Sequence, residues 1–425
     1  MKGHPPPSPR KLEETGLEPG FLLDHMVRSI YRLGPETPSE IAAALKLATP
    51  IVDGLIEEAR AARLLQTLGV RSGSVAAEMR YELSEAGRAW ALDSLRQTEY
   101  VGPAPVPLAQ FVVQVARQSI RTETIDRARL SKVLAGLTLP ERVTGAVGPA
   151  ANSASSMLLY GPPGNGKSSI AKAICAAFRD AVFIPHAIEL DRQIITLFDA
   201  TVHRVVPLAR QGEGGLRLTL GFDKRYQVCR RPVVVTGGEL TIDMLDLSFN
   251  ATTHIYEAPL QLKAAGGVFV IDDFGRQREQ PQALINRWII PLERSVDYLT
   301  LQTGRKLEAP FDTLVIFSTN IPPRQLVDDA ALRRIRHKIE VGRPDREDFI
   351  RILVEACRRR AVPPEEEGIA FLLAELYGEG GADFAAYHPE FLLDQLAAIS
   401  AYEGVEPRLT PALLRRAWGN LFTSA

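Results

Sequence analysis

Two short stretches of the chain hold residue types at spacings that could do chemistry. In SMLLYGPPGNGKSSIAKAI, Gly161, Gly166, Lys167 and Ser168 satisfy the spacing GxxxxGK[ST]. Glycines there let backbone N–H groups curl around phosphate oxygens, and the start of the following helix adds a favourable dipole. Lys167 is expected to reach the β- and γ-phosphates, and Ser168 to ligate Mg²⁺. Phosphate contacts are expected from Gly161, Pro162, Pro163, Gly164, Asn165, Gly166, Lys167, Ser168 and Ser169. The second stretch, GGVFVIDDFGRQ, is an apolar run that ends in Asp272 and Asp273. Mg²⁺ is a hard cation that keeps waters and takes few protein carboxylates. Asp272, closing a buried strand, suits that task beside Ser168. Asp273 is expected to face the γ-phosphate, where a base must orient the attacking water. The implied ligands are ATP and Mg²⁺.

These residues need a scaffold that brings strand ends together. Apolar strand candidates are SMLLY (156–160), AVFIP (181–185), GVFVID (267–272) and TLVIFS (313–318), separated by helical stretches. That alternation implies a parallel α/β sheet. The expected α/β nucleotide-binding domain spans 111–342, with hairpin insertions near 212–238 and 297–310, and a helical lid domain spans 343–425. The insertion RQGEGGLRLTLGFDKRYQVCRRP is expected to be a hairpin of RLTL and RYQVC. Arg217, Lys224, Arg225, Arg230 and Arg231 lie in it, as a partner-contacting loop or a solvated one.

Ahead of this core, residues 1–19 are expected to form a disordered arm, and residues 20–100 a winged-helix domain. FLLDHMVRSIYRLG is an amphipathic helix, and TPSEIAAALKL a short one whose Thr37 and Glu40 make a capping box. A third helix from Thr49 and two strands, LLQTLG and MRYELSEAG, complete it. Over residues 20–100, nine Lys and Arg stand against eleven Asp and Glu, and the third helix carries Asp53, Glu57 and Glu58. Non-specific DNA affinity needs clustered positive charge, so DNA binding is disfavoured. VGPAPVPLAQ (101–110) is expected to be a Pro-rich linker.

The bulk numbers exclude other classes. The 425 residues are 45% hydrophobic and 24% charged, with a formal net charge of −1, an ordinary globular composition. Cys175, Cys229 and Cys357 are odd in number and far apart, which favours reduced thiols over a disulfide framework. No run approaches the ~20 apolar residues of a membrane span, and the N-terminus has no apolar leader core. A cytoplasmic protein is expected.

With these motifs in place, residues 140–425 resemble an AAA+ ATPase. The chain is similar to bacterial ATPases described as having chaperone activity, which carry an N-terminal winged helix. It shares features with the MoxR and magnesium-chelatase branch. The resemblance implies several further roles. LVIFSTN looks like sensor 1, with Asn320 holding the nucleophilic water or the γ-phosphate. LVDDAALRRIRHKIEV looks like the segment of the arginine fingers, with Arg333, Arg334 and Arg336 as candidates acting on ATP of a neighbouring subunit. A homo-oligomer, most simply a hexameric ring, is therefore implied. The hairpin YLTLQTGRKLEAP before sensor 1 fits the MoxR and chelatase branch. The chain departs from the pattern twice: Asp273 stands where a glutamate is usual, and HPEFLLDQ puts Glu390 where a sensor 2 arginine is usual. Arg408 or Arg415 are the candidate substitutes for the latter.

The leading expectation is a slow ATPase that acts as an oligomeric remodelling, chaperone-like or assembly machine on a protein partner. The alternatives are a DNA-associated ATPase using the winged helix, and a nucleotide-switched scaffold with little turnover. A carboxylate one methylene short falls about 1 Å away from its working position, which can cost ~10²-fold in rate. Asp273→Glu is expected to keep turnover or raise it.

Overall fold

The computed structural model describes residues 3–70, 78–207, 221–380 and 382–421. Its centre is a five-stranded, all-parallel sheet in the order His337–Glu340, Met157–Tyr160, Thr313–Thr319, Gly267–Ile271, Val233–Thr236. The three middle strands are nearly continuous apolar runs because both faces are covered. Alternation along them sorts the side chains. Met157, Leu159, Val268, Val270, Leu314 and Ile316 pack on one face with Ile170 and Ile174 of the helix Lys167–Ala177. Leu158, Phe269, Ile271, Val315 and Phe317 pack on the other with Trp288, Leu284 and Leu332.

Three of the four expected strands lie in this sheet. AVFIP does not: Ala181–Pro185 pairs antiparallel with Tyr226–Arg230 in a separate two-stranded unit. Its place in the parallel sheet goes to Val233–Thr236. An apolar run reports burial and not which sheet it joins. The expected RLTL strand and Arg217 fall outside the described residues. RYQVC pairs with AVFIP, and two of the basic residues beside it are buried in ion pairs. Arg225 is paired with Asp223 at 2.8 Å and also donates to the Thr15 and Pro105 carbonyls. Arg231 is paired with Glu123 at 2.7 Å and donates to the Gln118 and Gly266 carbonyls. They hold the fold together and are not free for a partner. The later hairpin forms as expected, from Val296–Thr300 and Lys306–Pro310.

A second, mixed sheet is built from Ser248–Asn250, Ile255–Glu257, Gln193–Thr196, Ala187–Leu190 and Val106–Pro107. Its last strand belongs to the stretch expected as a linker. That stretch is integral instead: Ala104 N–H donates to the Leu45 carbonyl, Val106 pairs with Ile188, and the helix Leu108–Arg117 follows at once.

The N-terminal body comprises helices Pro19–Leu33, Pro38–Leu45 and Thr49–Ala61, the hairpin Leu65–Val70 with Met79–Leu83, and helix Glu85–Gln97. Thr37 and Glu40 form the expected capping box. Ala187 and Ile194 of the second sheet lie within the core cluster of this body, beside residues such as Leu22, Met26 and Leu45. The two units therefore share one core. The arm is not free either. The His4 carbonyl accepts from Gln114 Nε2 at 2.7 Å, Pro7 bridges to Phe222, and Thr15 and Leu17 are buried.

At the other end, helices Arg346–Arg359, Glu366–Phe371, His388–Glu403 and Pro411–Gly419 pack around Phe349, Leu353, Tyr377, Leu392 and Leu414. Among the described residues, no helix is long and apolar enough to cross a membrane, and the three cysteines are free.

Two expectations follow. Glu123 gathers Arg231, Arg129 and the backbone N–H groups of Arg179 and Asp180. Arg231→Ala leaves that buried carboxylate short of its main partner and removes the Arg231 donors from the Gln118 and Gly266 carbonyls. It is expected to cost about 3–5 kcal/mol in urea unfolding. His25 is fully buried, within 2.9 Å of the Gly102 carbonyl and 3.0 Å of Arg28 Nη2. Burial, then the Arg28 charge, lowers its pKa from 6.5 to about 3. The unfolded chain therefore takes up this proton first. The stability His25 contributes is complete above pH 6.5 and declines as pH falls toward 3, by about 1.4 kcal/mol per pH unit. Melting temperatures between pH 6.5 and 5 should fall for the wild type, with a smaller slope in His25→Asn.

Candidate nucleotide site

The parallel register decides where the site lies. Thr236 pairs with Ile271, Ile271 with Phe317, and Ser318 with Leu159, so four strands end at one level. Beyond the ends lie the GPPGNGKS loop, the two aspartates and Asn320. Gly161, Gly164 and Gly166 all have positive φ, at 140°, 75° and 87°. Two of them also meet close neighbours. A Cβ on Gly161 would sit 2.3 Å from the Val341 carbonyl oxygen, and one on Gly164 would sit 2.1 Å from the Tyr387 ring. Gly166 caps the helix that begins at Lys167, and nothing lies within 4 Å of where its Cβ would be.

Lys167 folds back over its own loop. Its ammonium donates to the carbonyls of Gly161 at 2.9 Å and Pro162 at 2.8 Å. Burial lowers its pKa from the ordinary value, opposed by the charges of Asp273 and Asp272. Ser168 Oγ donates to Asp272 Oδ1 at 3.0 Å. That carboxylate is steadied from the neighbouring strand, since Asp272 N–H donates to the Thr236 carbonyl at 2.8 Å. Asp273 is exposed and left-handed, with φ 50°. Asn320 Nδ2 stands 3.5 Å from Asp273 Oδ1, at the limit of hydrogen bonding. Phe274 N–H donates to the Ser318 carbonyl, and Thr319 Oγ1 donates to the Phe274 carbonyl, so the turn carrying the acids is tied to the strand carrying Asn320.

Around these groups is a cleft of about 730 Å³. Its floor is the loop Pro163–Ser169 with Asp273, Ser318 and Asn320, and one wall is the segment Gly136–Leu139. The helical domain supplies the facing wall through Ile352, Glu355, Arg359, Ala386, Tyr387 and Glu390. It also touches the loop directly: Ala386 N–H donates to Asn165 Oδ1 at 3.0 Å.

The structure thus brings together Lys167, Ser168, Asp272, Asp273 and Asn320. Arg333, Arg334 and Arg336 are not among the residues lining this cleft; they line a separate recess of about 440 Å³. Arg334 is paired with Glu293 at 3.0 Å, while Arg333 and Arg336 are exposed. Arg408 pairs with Glu406 and Arg415 with Glu375, and neither lines the cleft. The lid cation at the cleft is Arg359, from a different helix. Glu390 binds it at 2.6 Å and Arg360 at 3.2 Å. Burial pushes the Glu390 carboxyl up, but the bonds and charges of those two arginines outweigh it and hold it below the usual range. Sequence reasoning passed over Arg359, Tyr387 and Gly136–Leu139. Nothing local marks them, because their positions come from packing across the chain.

Residues 157–220 match the model of the ATPase family associated with various cellular activities (AAA). Residues 345–420 match a domain of unknown function, DUF8689. The chain is 21% identical to spastin of Anopheles gambiae over 281 residues, covering 66% of this chain and 27% of that protein. It is 28% identical to the cell division cycle protein 48 homolog of Archaeoglobus fulgidus over 259 residues, covering 60% of this chain and 27% of that one. The chain therefore spans about a quarter of the length of these curated relatives. The solved structure of NtrX from Brucella abortus aligns with 75% of this chain and 60% of its own at 14% identity, with a TM-score of 0.41. So low a score adds nothing to what the strand order shows.

Arg359, paired with Glu390 at 2.6 Å and more loosely with Glu355 at 4.0 Å, lines the wall that faces the GPPGNGKS loop, and this has an expected consequence. Arg359→Ala should weaken ATP binding roughly tenfold or more, as for a lost hydrogen bond to a charged group, and ADP binding less. Titration calorimetry checks this; equal affinities for wild type and variant would confine Arg359 to its pairing with Glu390.

Proposed function

We propose that the chain binds ATP with Mg²⁺ in this cleft, hydrolyses it slowly, and works as an oligomeric remodelling, chaperone-like or assembly ATPase on a protein partner. The observation that carries the reading is the Ser168–Asp272 contact of 3.0 Å beside Lys167, at the floor of a cleft large enough for a nucleotide. Hydroxyl and carboxylate oxygens suit a hard cation, and the positive-φ glycines give the loop a backbone course that other residues rarely adopt. Ser168 and Asp272 would hold Mg²⁺, which neutralises phosphate charge when bound. Lys167 exchanges its two loop carbonyls for phosphate oxygens. Asp273 accepts from the attacking water, and Asn320 keeps that carboxylate and the water aligned.

The backbone at Asp273 alters the expectation for a longer acid. Aspartate and asparagine are the non-glycine residues most at ease in the left-handed region, whereas other side chains there cost roughly 1–2 kcal/mol. Asp273→Glu gains reach but adds strain, so a rise in turnover is no longer expected.

The exposed recess with Arg333 and Arg336 supports an assembly in which these cations reach the nucleotide of a neighbouring subunit, most simply in a hexameric ring. The N-terminal body, taken as a winged helix, presents Asp53, Glu57 and Glu58 outward, with Arg60 held by Glu57 at 2.9 Å. That surface favours a protein partner over DNA.

Phosphate release, ATP binding and oligomer mass should be measured together for wild type, Lys167→Ala, Asp273→Asn and Asp273→Glu. Wild type is expected to turn over slowly, Lys167→Ala to lose ATP binding, Asp273→Asn to bind ATP without hydrolysis, and Asp273→Glu to keep part of the rate. Wild type and Asp273→Asn sharing one negligible rate while binding ATP would replace the ATPase reading with a nucleotide-switched scaffold.

A further inference from the structure

Past the two aspartates the chain makes a turn with two positive-φ residues, Asp273 at 50° and Gly275 at 102°. Such a backbone persists only where its surroundings fix it. The side chain of Gln277, only 9% exposed, runs back under this turn. Its amide nitrogen lies 3.1 Å from the Gly237 carbonyl, 3.3 Å from the Asp272 carbonyl and 3.4 Å from the Asp273 carbonyl. Its amide oxygen accepts the Gly275 N–H at 2.8 Å. One amide thus serves the peptide groups on both sides of Asp273 and the residue that follows the edge strand Val233–Thr236.

We propose that Gln277 is a positioning residue for the water-orienting carboxylate. It holds the left-handed turn that aims Asp273 into the cleft, and it sets that turn against the end of the edge strand. The proposal rests on the ATPase reading above. Gln277 is not among the residues lining the cleft, so its effect should fall on rate and not on binding. Two hydrogens are shared among three carbonyls, so the donor end is the part that matters. Glutamate keeps the shape and the acceptor for Gly275 but removes both hydrogens and sets negative charge against the carbonyls.

The test is the split between kcat and ATP affinity in Gln277→Ala and Gln277→Glu, with Kd measured on the same preparations. Both variants are expected to lose tenfold or more in kcat, since misplacement of about 1 Å costs on that order or more, with Kd for ATP within about twofold of wild type. Should Gln277→Ala fail to fold, the near-isosteric Gln277→Glu decides. Wild-type kcat in Gln277→Glu would overturn the proposal, and so would parallel losses in kcat and ATP affinity, which mark a merely structural role. A wild-type protein without turnover would remove the ATPase reading and this proposal with it; wild-type turnover matched by Gln277→Glu removes this proposal alone.

Discussion

The candidate site depends on strands that end at one level. Gly267–Ile271 lies between two parallel neighbours in unbroken register, so its last residue emerges beside the ends of Val233–Thr236 and Thr313–Thr319. Asp272 needs no long loop to reach Ser168, because the strand behind the phosphate loop is two places away in the same sheet. A one-residue slip would turn every side chain of the strand to the opposite face. It would therefore empty both cores at once and could not pass unnoticed as a small displacement of the acids.

Charge is handled in two ways within this chain. Away from the cleft, buried ions have several partners each: Glu123 accepts from two arginines and two backbone N–H groups, and Arg225 is spread over a carboxylate, two carbonyls and the Gln110 amide oxygen. Such groups lose much if a partner leaves. At the cleft the partners are replaceable. Lys167 rests on two neutral carbonyls that a phosphate would outbid by its charge, and the Asp273 side chain stands 3.5 Å from Asn320 Nδ2, at the limit of hydrogen bonding. The same residue types therefore act as fasteners in one place and, under the proposed function, would act as reagents in the other.

Much of the core was legible in the sequence because its signals are local. The phosphate loop, the run VFVIDD, the strand TLVIFS and the Thr37–Glu40 cap each encode their form within about ten residues. What was not legible depends on distant pairs. Arg231 meets Glu123 across 108 positions, so its burial could not be told from that of its exposed neighbours Lys224 and Arg230, and the basic run was left open as partner-contacting or solvated. AVFIP has the composition of a sheet strand, yet its partner is Tyr226–Arg230. Proline content suggested a linker at 101–110 and an arm at 1–19, but prolines also suit chain that packs without donating, as Val106–Pro107 and Pro7 do. Arg359 and Tyr387 reach the cleft only because the helical domain folds over the loop.

The core shared by Ala187 and Ile194 with the N-terminal helices bears on ancestry. A module joined by a tether can be gained, lost or exchanged between genes as a cassette. Here the boundary runs through the middle of a hydrophobic cluster, and the connecting stretch is itself a strand of the second sheet. Removing the front quarter of the chain would uncover apolar residues of a sheet encoded downstream, Ala187 and Ile194 among them. A chain that lost one region would expose apolar surface of the other, so the two are expected to be inherited together.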